Sequence, residues 1–142
     1  LLLAFMDCVR LANPAARGFA TRSSLAIPAL LFGAVAIELL AVPSSAWPAR
    51  LLGRNALVCL MAIPALSLAP LAAALYAMRQ GAPASSVETG LAAGRLAAAF
   101  AAALYALHCF DDSPLFIATW YVLASVIVIA LGAIAGKLAL RW

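Results

Sequence analysis

The sequence predicts an all-α fold: a polytopic bundle of transmembrane helices forming a single domain over residues 1–142. Three observations predict it. Of the 142 residues, 68% are hydrophobic and only 10% charged, with a mean hydropathy of +1.11. A soluble domain of this length needs far more polar residues to cover its surface. Apolar runs long enough to cross a bilayer core recur along the chain, and polar residues collect in short stretches rich in Pro, Gly and Ser between them.

The elements follow in order. Residues 1–6 read as the tail of a span cut at the start of the chain, which opens on Leu1-Leu2-Leu3 without an initiator Met. No basic region precedes this run and no small-residue cleavage pattern follows, so it is not expected to be a secretory signal. Asp7 to Ser24 is a polar connection with Arg10, Arg17 and Arg22 and with Asn13-Pro14 and Gly18 as helix stops. The first full span is 25–42. At 1.5 Å per residue it reaches about 27 Å, enough for a bilayer core. Pro28 falls in its first turn, where a missing N–H is tolerated, and Trp47 follows as an interfacial anchor. The second span, 56–78, contains Pro64 and Pro70, which predict a kink or local unwinding. A polar loop at 79–89 precedes the third span, 90–107, which is dominated by Ala and opens on Gly90-x-x-x-Gly94. So thin a helix lets its neighbours approach and belongs in the middle of the bundle. The last span is 115–136, with Gly132-x-x-x-Gly136 near its end. That makes four full spans and the tail of an earlier one, with no soluble domain and no internal repeat.

Alternation of spans gathers the 7–24 connection, the 79–89 loop and the C-terminus on one face. That face carries Arg10, Arg17, Arg22, Arg79, Lys137 and Arg141, with Arg95 one turn inside, where it can snorkel. The 43–55 and 108–114 loops share the other face and carry only Arg50 and Arg54. Basic residues favour the cytoplasmic side, so the first face and the C-terminus are expected in the cytoplasm. The charge of +4 fixes orientation and gives no reason to expect direct contact with nucleic acid.

The stretch His108-Cys109-Phe110-Asp111-Asp112-Ser113-Pro114 is the one dense polar cluster between apolar runs. Cys109 lies in this outer loop and Cys59 just inside the span after the other outer loop, so both fall where thiols can be oxidised; Cys8 falls on the opposite face. Cys59 and Cys109 can form a reactive pair, bind a soft metal, or serve as small apolar fillers. His108 can supply an imidazole, and Asp111 and Asp112 carboxylates. Asp112, Ser113 and Pro114 equally suit the start of the last helix, with Ser113 or Asp112 as its cap. Glu38 is costly inside a span unless paired or protonated. Its depth suggests Arg54 or His108 as the partner, and a proton-coupled role is the alternative. Besides a sensor, a membrane thiol oxidoreductase and a small proton or metal transporter subunit are open on these residues.

Several stretches resemble the NrsF family, integral-membrane anti-sigma factors that negatively regulate the extracytoplasmic-function sigma factor SigF. They are Cys59-Leu60-x-x-Ile63-Pro64, Leu68-Ala69-Pro70-Leu71, Gly81-Ala82-Pro83, the run from Tyr105 through Cys109 and Asp111 to Phe116, Trp120-Tyr121, and Gly132-x-x-x-Gly136-x-x-x-Leu140-Arg141-Trp142. The resemblance implies a six-span protein of the bacterial inner membrane when full length, not an enzyme. It implies a protein that sequesters an extracytoplasmic-function sigma factor and releases it under oxidative or heavy-metal stress. The two cysteines that the family uses in that response map onto Cys59 and Cys109; the residues themselves, apart from the resemblance, suggest His108 as modifier and Asp111 and Glu38 as accessories. No cofactor is implied beyond a transiently bound heavy metal. Arg10, Arg17, Arg22 and Arg79 are the basic residues placed to meet the sigma factor.

Overall fold

A computed structural model describes residues 1–11, 26–80 and 85–140. The fold is all-α, and among the described residues there is no strand. Helix α1 spans Leu2–Leu11 and α2 spans Ala26–Ala41. A 3-10 turn at Ser44–Ala46 leads into the short α3, Trp47–Leu52. The long helices are α4, Ala56–Arg79, α5, Ser86–Ala106, and α6, Pro114–Ala139.

Among the described residues, three segments are long and apolar enough to cross a membrane: Ser44–Arg79, Ser86–Ala106 and Pro114–Ala139. The first expected span, 25–42, is described over Ala26–Ala41. Its described apolar helix, Ile27–Ala41, falls below spanning length. The third span also begins earlier than the sequence reading placed it. Ser85 caps α5 by accepting the Glu88 amide at 3.4 Å, so four residues assigned to a polar loop are the first turn of the helix. The signal was present as Ser85-x-x-Glu88, the spacing of a capping box. Arg95 consequently stands nine positions past Ser86, more than two turns into α5 and not one.

Helix α5 is the centre of the bundle, packed against by α1, α4 and α6. Its buried face is made of small residues: Gly90, Ala92, Ala93, Gly94, Ala97, Ala98 and Ala101. Large apolar side chains are displayed outward instead, among them Leu30, Phe32, Leu40, Leu57, Met61 and Ile134. Small residues inside and large ones outside is the arrangement expected where helices associate by close backbone approach rather than by hiding large side chains from water.

The two GxxxG patterns mesh with each other. A Cβ on Gly132 would stand 2.5 Å from the Gly90 carbonyl oxygen and 2.7 Å from the Gly94 Cα. A Cβ on Gly136 would stand 2.6 Å from the Gly90 Cα and from the Ser86 carbonyl oxygen. At the same end the Ser86 Oγ donates to the Leu140 carbonyl at 2.7 Å, tying the start of α5 to the end of α6.

Helix α4 stays α-helical through Pro64 and Pro70, so the local unwinding offered as one consequence of these prolines does not occur. The departure from α geometry lies in α6, where Ile117–Tyr121 forms a π-helical turn. There the Thr119 hydroxyl donates to the Leu115 carbonyl at 2.8 Å, competing with the backbone ladder where it widens. Helix α2 sits at the margin and packs chiefly on the first turns of α6.

Candidate functional site

The connection 43–55 and the loop 107–113 meet at one end of the bundle, joined by two buried or partly buried carboxylates. Asp111 is the first. Its Oδ2 accepts the Arg54 amide at 3.1 Å, the Asn55 amide at 2.9 Å and the Asn55 side-chain amide at 3.1 Å. It thus fixes the turn that starts α4. Gly53 makes the close approach feasible, with φ of +54°, where L side chains rarely sit. A Cβ there would stand 2.6 Å from the Phe116 ring and 3.0 Å from Asp111 Cγ.

Glu38 is the second carboxylate and is 6% exposed. Its Oε1 accepts Arg50 Nη1 at 2.9 Å and the Ser113 hydroxyl at 2.7 Å, and its Oε2 accepts the Leu115 amide at 2.8 Å. Two sequence expectations are corrected here. The partner of Glu38 is Arg50, not Arg54 or His108, because the short helix α3 carries Arg50 back toward α2. Ser113 occupies the cap position of α6 with Pro114 next, as expected, but its side chain makes no capping bond. It donates to Glu38, and the carboxylate of a different helix takes the free amide instead. That negative group at a helix N-terminus is favourable.

Between these clasps lie the thiols. Cys59, in the first turn of α4, is fully buried. Cys109 is partly buried against the core, and its amide donates to the Tyr105 carbonyl at 2.9 Å. Cys109 packs against the core cluster that contains Cys59, and Asn55, held by Asp111, accepts the Cys59 amide at 2.7 Å. Tyr105 and Tyr121 belong to the same core cluster as Cys109. Their rings lie 5.8 Å apart at 51°, and Phe116 meets Tyr121 edge-on at 6.3 Å. Trp120 anchors the π-helical turn by donating to the Leu51 carbonyl at 2.8 Å. All three cysteines are free thiols. Cys8 stands away from the pair, lining a cavity of about 690 Å³ with Pro70, Ala74 and Met78.

The other residues singled out in the sequence are distributed as follows. His108 is exposed, and its amide donates to the Tyr105 carbonyl at 2.9 Å. Asp112 is exposed. Among the described residues no three His, Cys, Asp or Glu side chains come together as a metal-binding group. Arg79 is exposed at the last position of α4, at the opposite end from the thiols. Arg17 and Arg22 lie outside the described residues, as does the side chain of Arg10.

A family model described as "NrsF: Negative regulator of sigma F" matches residues 1–142. The chain belongs to the NrsF family. A relative named probable anti-sigma-F factor NrsF, from Azospira oryzae, is 35% identical over 135 residues, covering 94% of this chain and 63% of the relative. The anti-sigma-F factor NrsF of Caulobacter vibrioides is 32% identical over 146 residues, covering 99% of this chain and 67% of the relative. The chain thus spans about two thirds of the length of these NrsF relatives. No solved structure matches.

In this NrsF chain the sequence pattern groups Cys59, Cys109, Asp111 and His108 and shows that Glu38 needs a partner. The pattern does not reveal Arg50 as the partner of Glu38 or the packing of Tyr105 and Tyr121 in the cluster with Cys109. Tyr105 was legible in principle, since it stands four residues before Cys109 at the end of a helix, one turn away. Tyr121 had no such signal, because a π-helical turn decides where it points.

Proposed function

We propose that this chain is the core of a membrane-embedded negative regulator. It holds an extracytoplasmic-function sigma factor inactive and releases it when Cys59 and Cys109 are oxidised. Family membership and the names of the two relatives support regulation of a sigma factor. The three long apolar helices and the outward display of large apolar side chains support insertion in a bilayer, the inner membrane in a bacterium. The excess of basic residues on the face opposite the thiols supports a cytoplasmic C-terminus. Arg10, Arg17, Arg22 and Arg79 are then the cationic groups available to an acidic surface of the sigma factor.

The observation that carries the sensing half is the packing of Cys59 and Cys109, 50 positions apart, in one cluster at the end where both outer connections are clasped. Oxidation joins the two sulfurs, removing two electrons and two protons. A hydroperoxide is the simplest acceptor and leaves as alcohol and water. Among the described residues no third His, Cys, Asp or Glu joins the two thiols as a metal-binding group, which favours this chemistry over stable metal capture. Oxidative stress is therefore the primary signal, and heavy-metal stress acts through the same thiols being spent.

A change at the thiols has a mechanical route inward. Cys59 lies in the first turn of α4, and Arg79 ends that helix 20 residues on, about 30 Å away. Cys109 follows α5, whose first residue is tied to the end of α6 through Ser86 and Leu140. Tenfold release needs a bias of about 1.4 kcal/mol between the two states, within the usual range for coupled sites. Glu38, the residue on which a transporter reading rests, is engaged by Arg50, Ser113 and Leu115, which supports a structural role.

The test replaces Cys59 and Cys109 together by Ser in the intact protein and follows a sigma-dependent reporter in cells. Repression is expected to persist while release by hydroperoxide is lost. Release at the wild-type level would sink the sensing half, and loss of sigma-factor pulldown by the unaltered protein would sink the regulatory half.

A further inference from the structure

Two of the most exposed large apolar side chains among the described residues flank Cys109: Leu107 is 86% exposed and Phe110 is 90% exposed. Neither is isolated. Phe100 and Leu104 on α5 and Leu107 at its C-terminal cap stand at i, i+4 and i+7, on one face of the helix. All three are exposed. The apolar face that a membrane-spanning helix turns to lipid is thus carried to the end of α5, and Phe110 follows in the loop. Side chains of this size are costly to leave in water, whereas lipid covers them. The same end carries groups that mark a membrane boundary. The Trp47 indole donates to the Val42 carbonyl at 3.1 Å, and Arg54 is exposed. His108 and Asp112 are exposed in the same loop and keep it in contact with water. Cys109, partly buried, therefore lies where hydrocarbon gives way to water. A hydroperoxide group on an acyl chain is driven to that same level, because a polar group left in hydrocarbon goes without hydrogen bonds.

We propose that the oxidant taken by this site is the hydroperoxide of a membrane phospholipid, whose oxidised acyl chain packs on Leu107 and Phe110 beside Cys109. This rests on the redox reading of the pair given above and names its oxidant. The Cys109 sulfur attacks the terminal oxygen of the hydroperoxide. The O–O bond breaks, the lipid leaves as its alcohol with the thiol proton, and Cys109 becomes a sulfenic acid. The Cys59 sulfur then attacks the Cys109 sulfur. The S–O bond breaks, and the oxygen leaves as water with the Cys59 proton. Partial exposure of Cys109 and full burial of Cys59 set the order of the two steps. Hydrogen peroxide has no apolar part for Leu107 and Phe110 to hold, and it reaches Cys109 from the water side alone.

The experiment uses the intact protein in phosphatidylcholine vesicles and follows the Cys59–Cys109 disulfide by mass spectrometry of non-reduced peptides. One set of vesicles contains phosphatidylcholine hydroperoxide; the other receives hydrogen peroxide at the same total concentration. The lipid hydroperoxide is expected to join the sulfurs faster. Leu107→Ser and Phe110→Ser together are expected to slow that reaction about tenfold, the equivalent of about 1.4 kcal/mol of lost apolar contact. The rate with hydrogen peroxide is expected to stay within twofold of the unaltered protein. Leu40→Ser removes a comparably exposed side chain from α2 and is expected to leave both rates unchanged. A lipid hydroperoxide no faster than hydrogen peroxide would overturn the proposal. So would a double variant that loses nothing, or one that slows with both oxidants alike, which signals altered structure. A disulfide formed by hydrogen peroxide alone overturns this inference and leaves the sensor reading standing. No disulfide with either oxidant overturns both.

Discussion

The Glu38 carboxylate accepts the Leu115 amide at 2.8 Å and so completes the N-terminus of α6 from a helix 77 positions earlier in the chain. Replacing Glu38 by Ala leaves this amide and the Ser113 hydroxyl without their acceptor and removes the ion pair with Arg50. Unsatisfied buried donors cost about 1–3 kcal/mol each. The side chain of Arg50 is 48% exposed, so solvent screens its share, and an exposed pair contributes about 0–1 kcal/mol. Glu38→Ala is therefore expected to lower unfolding stability in detergent by more than Arg50→Ala. It should also speed hydrogen exchange across 114–121, a region that Arg50→Ala leaves protected. Equal losses from the two variants would mean that the ion pair, and not the cap, holds α2 to α6.

Asp111 makes a parallel prediction on the other clasp. Its Oδ2 takes two backbone amides and a side-chain amide from the 54–55 turn. Asp111→Ala is expected to expose the Arg54 and Asn55 amides to rapid exchange and to cost about 1–3 kcal/mol. Asp111→Asn keeps one carbonyl acceptor and is expected to recover part of the protection. Unchanged exchange at Asn55 in the Ala variant would contradict the role given to this carboxylate.

Much of this site was legible in the sequence, for reasons that can be separated. Cys59 and Cys109 fall at one end because helices alternate direction, and that follows from the apolar runs alone. Glu38 announced a partner because a lone carboxylate among apolar residues is costly. Which partner it takes could not be read, since Arg50 and Arg54 share one loop and the six-residue α3 decides which of them turns back. The start of α5 was misplaced because the polar run around Ser85 and Glu88 looks like a loop, although the same residues form its cap. The meshing of Gly90 and Gly94 with Gly132 and Gly136 depends on register between two helices, which a single-helix pattern does not contain.

Orientation can be checked through the same thiols. In intact cells a membrane-impermeant maleimide is expected to label Cys109, in the outer loop, and to leave Cys8 unlabelled. Cys59 is 0% exposed and should react only after denaturation. Labelling of Cys8 with protection of Cys109 would invert the proposed topology and move the sensing chemistry to the cytoplasm.

The glycines separate packing from helix propensity within one chain. Gly33 lies in α2, and a Cβ there meets nothing within 4 Å. Ala is a better helix former than Gly by about 0.5–1 kcal/mol, so Gly33→Ala is expected to stabilise the protein slightly or leave it unchanged. Gly132 gains the same propensity on substitution, but its new methyl meets the Gly90 carbonyl at 2.5 Å and the Gly94 Cα at 2.7 Å. These are backbone atoms that cannot rotate away, so α5 and α6 must separate along their contact. Overpacking typically costs about 1–3 kcal/mol, which exceeds the propensity gain. Gly132→Ala is therefore expected to lower the unfolding midpoint in a denaturing-detergent titration while Gly33→Ala does not. A Gly132→Ala protein as stable as the Gly33→Ala protein would show that the two helices can part without loss. In that case the α5–α6 contact would not be the axis on which the bundle is built.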